Sequence, residues 1–314
     1  MPWLVNRSRS GRHDSPLGRS PAASKLIPGL LSFVAALPLT SAFAQQRAAP
    51  DAAVSGEPAA GQDQGASPEG DVLNPQRLLQ LMYEVRTAPG TNLDGNPVTT
   101  TTNTWKLRGD ATLPLSSQWS LVLRGDLPYL AKNKYTNGNP DGSFLYGLGD
   151  ADLQAALVDT IDSRWKAGAG VRLIAPTGAP TLTSNLWRVM PIAAVRYALP
   201  ELSAGSYVEP LLRYDVGVAG PSTAKFVSNL QFAPMLNLAL PGRWYVTLYP
   251  NPEIRWNFGT PITGETGRLF LPFDARIGRK FSEAFNVSLE VAVPIVKQYP
   301  VYDFMTALRL NVNF

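Results

Sequence analysis

The chain has 314 residues, no cysteine and a single histidine, His13. Without thiols there can be no disulfide framework, thiolate nucleophile or cysteine-held zinc. Because His13 lies in a stretch expected to be removed, a Ser-His catalytic arrangement is excluded from the mature chain, and only carboxylate, Lys, Tyr or Ser-Lys chemistry survives formally. An excess of charge of one sign is missing as well. The formal net charge of +4 belongs entirely to residues 1–44, which hold 5 of the 28 basic and 1 of the 24 acidic residues and leave 23 of each behind them. A balanced chain gives no electrostatic case for a nucleic-acid partner. After Leu78, no apolar run approaches the ~20 residues of a spanning helix.

What is present begins with a leader. Arg7, Arg9, Arg12, Arg19 and Lys25 precede an apolar run from Leu26 to Leu37, followed by small residues ending Ala42-Phe43-Ala44. That order is a secretory signal with an A-x-A cleavage site, so removal after Ala44 is expected. The run is too short for a transmembrane anchor, and no cysteine follows it to carry lipid. Residues 45–77 are mostly Ala, Gly, Pro, Gln, Glu, Asp and Ser up to about Asp71. This composition buries too little apolar surface to order itself, which predicts a disordered periplasmic arm, with lumen plugging as the alternative role.

From 78 to 314 the pattern is strict alternation over about ten residues, the period of strands with one apolar and one polar face. The last strand is the cleanest: Tyr302, Phe304, Thr306, Leu308, Leu310, Val312 and Phe314 share one face, and Asp303, Met305, Ala307, Arg309, Asn311 and Asn313 the other. Twelve segments follow this rule, near 78–87, 105–115, 119–129, 150–160, 165–175, 186–199, 206–218, 226–240, 244–258, 268–280, 285–296 and 302–314. Short and long connections alternate between them. An even strand number, short turns at one end and longer loops at the other predict an all-β, antiparallel transmembrane β-barrel of about twelve strands in a Gram-negative outer membrane, both termini periplasmic.

Aromatic residues mark the strand ends. Trp119, Trp165, Trp244 and Phe285 follow short turns, Trp105 and Trp187 follow long loops, and Tyr129, Trp256 and Phe258 lead into long loops. All have the apolar parity, as interfacial girdles require. The opposite parity is charged, and its candidate lumen-lining residues are Arg108, Asp110, Arg124, Asp126, Asp150, Asp152, Arg172, Arg196, Arg213, Asp215, Glu253, Arg255, Asp274, Arg276, Glu290 and Arg309. Interspersed signs allow Arg to pair with Asp or Glu on neighbouring strands, giving a salt-bridged wall; the sharper reading is a charged path for a polar solute. Asp150-x-Asp152 has the chemistry of a hard-cation ligand, but adjacent arginines favour ion pairing, and no metal or cofactor is expected. Pro191, Pro210, Pro234, Pro250 and Pro252 interrupt the patterns, and each should mark a bulge, bend or strand end.

Residues 74–314 resemble the MetA-pathway phenol-degradation family of Gram-negative outer-membrane barrels. The resemblance is carried by Asn74-Pro75 before an apolar strand, Pro114 and Pro128 around Trp119, and Gly147-Leu148-Gly149-Asp150. It continues in Ala175-Pro176-Thr177-Gly178, Gly242-Arg243-Trp244-Tyr245, Pro272-Phe273 and Gly278-Arg279-Lys280-Phe281. It implies a barrel labelled a transporter, with aromatic or hydrophobic cargo, and carries over no catalytic residue. Three classes therefore stand: a passive channel for small molecules, a non-transporting barrel with an occluded lumen, and a barrel enzyme that the missing histidine disfavours. The expected partners are outer-membrane lipid, an unidentified small solute, and the barrel-assembly machinery, whose signal the terminal Phe314 resembles.

Overall fold

The computed structural model describes Leu73, residues 76–262 and residues 264–314. The leader expected over 1–44, with its cleavage site at Ala44, and most of the 45–77 arm lie outside the described residues. The rest is a closed antiparallel barrel of β1 (Leu78–Thr91), β2 (Pro97–Pro114), β3 (Trp119–Asn133), β4 (Phe144–Leu148), β5 (Asp152–Thr160), β6 (Trp165–Ile174), β7 (Trp187–Ala198), β8 (Tyr207–Ala219), β9 (Ser228–Leu240), β10 (Trp244–Leu248), β11 (Ile254–Asn257), β12 (Leu269–Lys280), β13 (Phe285–Lys297) and β14 (Phe304–Asn313). These occupy twelve positions around the wall. β4 and β5 share one, both pairing with β3, and β10 and β11 share another between β9 and β12. Closure comes from β1 against β14, running from Leu78 opposite Asn313 to Thr87 opposite Phe304. Among the described residues, no helix is long and apolar enough to cross a membrane.

The period-2 pattern is the cause of this shape. Inward residues are buried and outward apolar residues are exposed on strand after strand, as in Phe285-Asn286-Val287-Ser288 and Leu308-Arg309-Leu310-Asn311. The exposed set forms a continuous belt of Leu, Val, Ile and aromatic side chains around the outside. A belt of that extent is compatible only with lipid, because each side chain would otherwise stand in water. Rings edge it at both ends. Tyr83, Trp105 and Tyr129 contact one another across β1, β2 and β3, with centroids 5.1 and 6.1 Å apart, and at the other edge Trp165 lies 4.6 Å from Tyr197. From Trp119 to Tyr129 on β3, ten steps of ~3.4 Å tilted by ~40° give a height of ~26 Å, matching the apolar band of outer-membrane barrels.

Three departures from the expected strands have local causes. The loop expected over 88–104 is mostly strand: β1 and β2 continue past the aromatic girdle as a hairpin turning at Asn92–Asn96, where Gly95 takes φ +81°. The segment expected at 150–160 starts at Asp152, and a separate β4 precedes it. Between them Gly178 approaches so closely that a Cβ on it would lie 2.7 Å from the Gly149 carbonyl carbon and 2.9 Å from the Asp150 nitrogen. The segment expected at 244–258 breaks at 249–253, Tyr-Pro-Asn-Pro-Glu, where Tyr249 has φ +50°.

The prolines explain where pairing stops. β7 and β8 are paired at Val189–Val216, Ile192–Arg213, Ala194–Leu211 and Tyr197–Val208, and the unpaired intervals contain Pro191 and Pro210. Pro234 faces the 249–253 break, since β9 pairs with β10 through residues 236–240 and with β11 through residues 229–232. Each missing N–H coincides with a gap, as the absence of a donor demands. β8 and β9 nevertheless stay continuous, with Pro210 directly opposite Pro234.

Candidate functional site: the charged lumen

Inside the barrel, register rather than sequence proximity brings charges together. Asp110 faces Arg124 and Arg108 faces Asp126 across the β2–β3 ladder. Both pairs are forked. Arg124 donates from Nε and Nη2 to Asp110 at 2.8 and 2.6 Å, and Arg108 donates likewise to Asp126 at 2.6 and 2.7 Å, with Lys106 Nζ 3.6 Å from the same carboxylate. Parallel N–H···O bonds of this kind are the strong form of an ion pair and fix side-chain orientation.

On the other side of β1, Arg276 and Arg309 converge on one oxygen of Glu290, with Arg276 Nη2 at 2.7 Å and Arg309 Nη1 at 2.9 Å. The other oxygen accepts from Asn251 Nδ2 at 2.8 Å. Asn251 belongs to the broken segment 249–253, so this bond holds that segment inside the lumen. Glu253, its last residue, receives Arg86 Nη2 at 3.2 Å and Arg255 Nη2 at 2.7 Å, while Arg86 also forks onto Glu84. The Pro250-Asn251-Pro252-Glu253 excursion is therefore tied to β1, β11 and β13 at once. Sequence reasoning assigned Glu253 to the lumen but missed that the backbone itself turns inward; the Pro-x-Pro flanking of Asn251 was the visible signal.

The remaining candidates fall into smaller groups. Arg188 Nη1 binds Asp215 at 2.8 Å, and Arg196 stacks 3.6 Å over the Tyr207 ring with Glu209 at 4.0 Å. Arg172 donates to Gln154 Oε1 from Nε and Nη2 at 3.1 and 2.9 Å, with Asp152 farther off at 3.6 Å. Arg213 donates through Nε to Gln231 at 2.7 Å. Asp274 is fully buried, and neither of its carboxylate oxygens meets a donor among the described residues. Asp150 stands apart from the rest. It sits in the break between β4 and β5 and accepts the Gly178 N–H at 3.2 Å, so it organises the loop end rather than the central wall.

Two apolar features narrow the lumen. Leu73, from the segment preceding β1, is buried against an inner-wall patch of Val122, Ala156, Val158, Ile192, Ala194, Leu211 and Ala233. Tyr302, from the β13–β14 loop, packs edge-on against Phe270 at 4.8 Å with the Arg86 guanidinium 5.2 Å from its ring. Both ends of the lumen are thus narrowed by segments other than strands. Between them lies a cavity of about 120 Å³. The cations Arg86, Lys106, Arg108, Arg124, Arg172, Arg213 and Arg309 line it against only two acids, Glu84 and Glu253. The other carboxylates stand behind the arginines they pair with, so the open space is electropositive although residues 45–314 carry equal numbers of basic and acidic residues.

No protein-family model and no curated protein matches the chain. Solved structures do. The COG4313 outer membrane channel from Pseudomonas putida F1 superposes with a TM-score of 0.58 at 18% identity, over 81% of this chain and 99% of that one. The KdgM porin gives a TM-score of 0.44 at 9% identity, over 76% and 99%. The translocator domain of the autotransporter NalP from Neisseria meningitidis gives 0.40 at 13% identity, over 78% and 91%. This chain, with twelve strand positions in its wall, shares its fold with the first of these.

Proposed function

We propose that the protein is an outer-membrane channel through which small molecules pass passively. The observation that carries this reading is the electropositive cavity inside a closed barrel whose outside is an apolar, ring-edged belt. Charged lining groups set the selectivity of such a path. The leader ending at Ala44 would deliver the chain across the inner membrane, the short turns and both chain termini would face the periplasm, and Phe314 would be read by the assembly machinery. The resemblance to the phenol-degradation family supports aromatic or hydrophobic solutes as cargo. The solved structure whose fold this chain shares is a channel, and we propose no enzymatic role.

A second reading, a non-transporting barrel, is favoured by the forked ion pairs and by the inward 249–253 segment, which narrow the lumen. Planar-bilayer recording of the refolded chain separates the two. Discrete conductance steps are expected. Insertion without any conductance or accelerated uptake of small solutes would overturn the channel and leave the occluded barrel. Membrane fractionation with N-terminal sequencing checks the delivery route, the expected first residue being Gln45 in the outer-membrane fraction.

A further inference from the structure

The charges around the lumen are not compensated evenly. On β2–β3 and on β12–β14 each central arginine meets a carboxylate at hydrogen-bond distance. On β6 and β8 the cross-strand partner is instead a neutral amide: Gln154 lies opposite Arg172, and Gln231 opposite Arg213. Arg213 hands only its Nε to protein and forms no ion pair among the described residues. The ion-pair partner of Arg172, Asp152, lies at 3.6 Å, too long for a hydrogen bond. Gln154 adds a third donor. Its Oε1 is occupied by Arg172, which fixes the amide orientation, and its buried Nε2 has no acceptor. A buried donor without a partner is costly unless something supplies the acceptor.

These donors flank an apolar strip. Ile192 on β7 is registered opposite Arg213, and Leu211 and Ala233 adjoin it in the same cavity. We propose that Arg172, Arg213 and Gln154, with Ile192 and Leu211 beside them, form a binding subsite for a small organic monocarboxylate. The carboxylate accepts from the guanidinium forks and the amide, and a short hydrocarbon tail packs beside Leu73 on the edge of the apolar strip that lines the cavity. The inference rests on the channel reading for its biological sense, but the binding it asserts does not require conduction. A planar fork recognises a carboxylate through two parallel bonds, which a bare halide cannot satisfy, and the small cavity excludes larger anions.

Calorimetry with the refolded full chain in detergent micelles at low ionic strength tests this, using butyrate as probe and butyramide as its neutral counterpart. Butyrate should bind and butyramide should not. R172Q and R213Q should each weaken butyrate binding by about tenfold or more, the scale of a lost charge-assisted bond, and R213K should bind less tightly than wild type because it keeps charge but loses the fork. R164Q, in an exposed turn where Arg164 pairs with Glu201, should bind as wild type does. Butyrate should also depress chloride current in bilayers for wild type but not for R213Q. Undiminished binding by both glutamine variants, or equal binding of butyramide, overturns the subsite. Chloride or inorganic phosphate displacing butyrate at matching affinity overturns the carboxylate assignment. Conductance without arginine-dependent binding leaves the channel and removes the subsite; arginine-dependent binding without conductance does the reverse.

Discussion

Replacing Glu290 with glutamine should be among the most damaging conservative changes in this barrel. The carboxylate receives three hydrogen bonds, two from Arg276 at 2.8 and 2.7 Å and one from Asn251 at 2.8 Å, and forms an ion pair with Arg309 at 2.9 Å. Arg276, Glu290 and Arg309 are 3%, 0% and 4% exposed, so solvent cannot take over when the anion is lost. Glutamine can keep its oxygen toward the two arginines, but its NH2 group then opposes Asn251 and the negative charge is gone. Two guanidinium ions are left facing each other without a counter-charge. Removing one partner of a buried pair costs about 3–5 kcal/mol, and the retained acceptor puts Glu290→Gln toward the lower end, ~3 kcal/mol. With a urea slope of ~1–3 kcal/mol per M, the midpoint should fall by about 1–3 M. The exposed pair Arg164–Glu201 is the internal comparison, at 2.5 Å but with side chains 44% and 57% exposed. Glu201→Gln should cost no more than ~1 kcal/mol despite the shorter distance. Urea titration of the protein folded in lipid vesicles, read by the heat-modifiable gel shift, measures both. If Glu290→Gln unfolds no earlier than Glu201→Gln, burial does not set the worth of these pairs and the reasoning fails.

Leu289 points outward, with Ile277 and Leu308 directly opposite it on the neighbouring strands, so Leu289→Arg should cost ~2–4 kcal/mol in the same titration. Asp274→Asn should be tolerated because its carboxylate has no donor to lose; the reverse ranking would show that the two faces are misassigned. Deleting Phe314, which is exposed and whose described hydrogen bond runs from its N–H to the Arg77 carbonyl at 3.1 Å, should lower the folded yield in cells while leaving the unfolding midpoint of the folded fraction unchanged. Asp162, in the turn after β5, accepts the Trp165 and Arg164 N–H groups, both at 2.7 Å, which hold its carboxyl below the usual range. Its contribution to stability is present above the ordinary carboxylate pKa and is lost as pH falls through the depressed value. The difference between wild type and Asp162→Ala should therefore shrink on acidification, and a constant difference across pH would rule this out.

The parity of the strands was legible because lipid and lumen impose opposite demands on alternate residues. Twelve wall positions, the ring-edged belt and nearly all inward charges follow from that single constraint. Partnership was not legible. Arg108 and Asp126 are 18 positions apart, Arg276 and Glu290 are 14, and only the ladder register makes each pair. The hairpin beyond the girdle was missed because Thr99 to Thr104 is polar on both faces, so alternation vanishes where neither face meets lipid; the turn residues Asp94-Gly95 were the remaining clue. The broken strand at 249–253 was half visible. Two prolines announced an interruption, but its inward direction depends on Glu253 and Asn251 finding Arg86, Arg255 and Glu290 on other strands. Asp150 misled for the same reason, since parity placed it correctly while the approach of Gly178 removed it from the wall.

The β1–β2 hairpin has a use that its polarity makes practical. Beyond Tyr83 and Trp105 its strands remain paired up to Thr91 and Pro97, so the turn at Asn92–Asn96 stands on a rigid ladder clear of the lipid belt. About eight residues at ~3.4 Å, tilted as the wall is, lift it by ~20 Å. A short tag placed between Asp94 and Gly95 would be displayed at the tip of a stiff mast without disturbing the lumen. It would make the hairpin an anchor for antibodies or immobilisation, and its accessibility on intact cells would report which way the barrel faces.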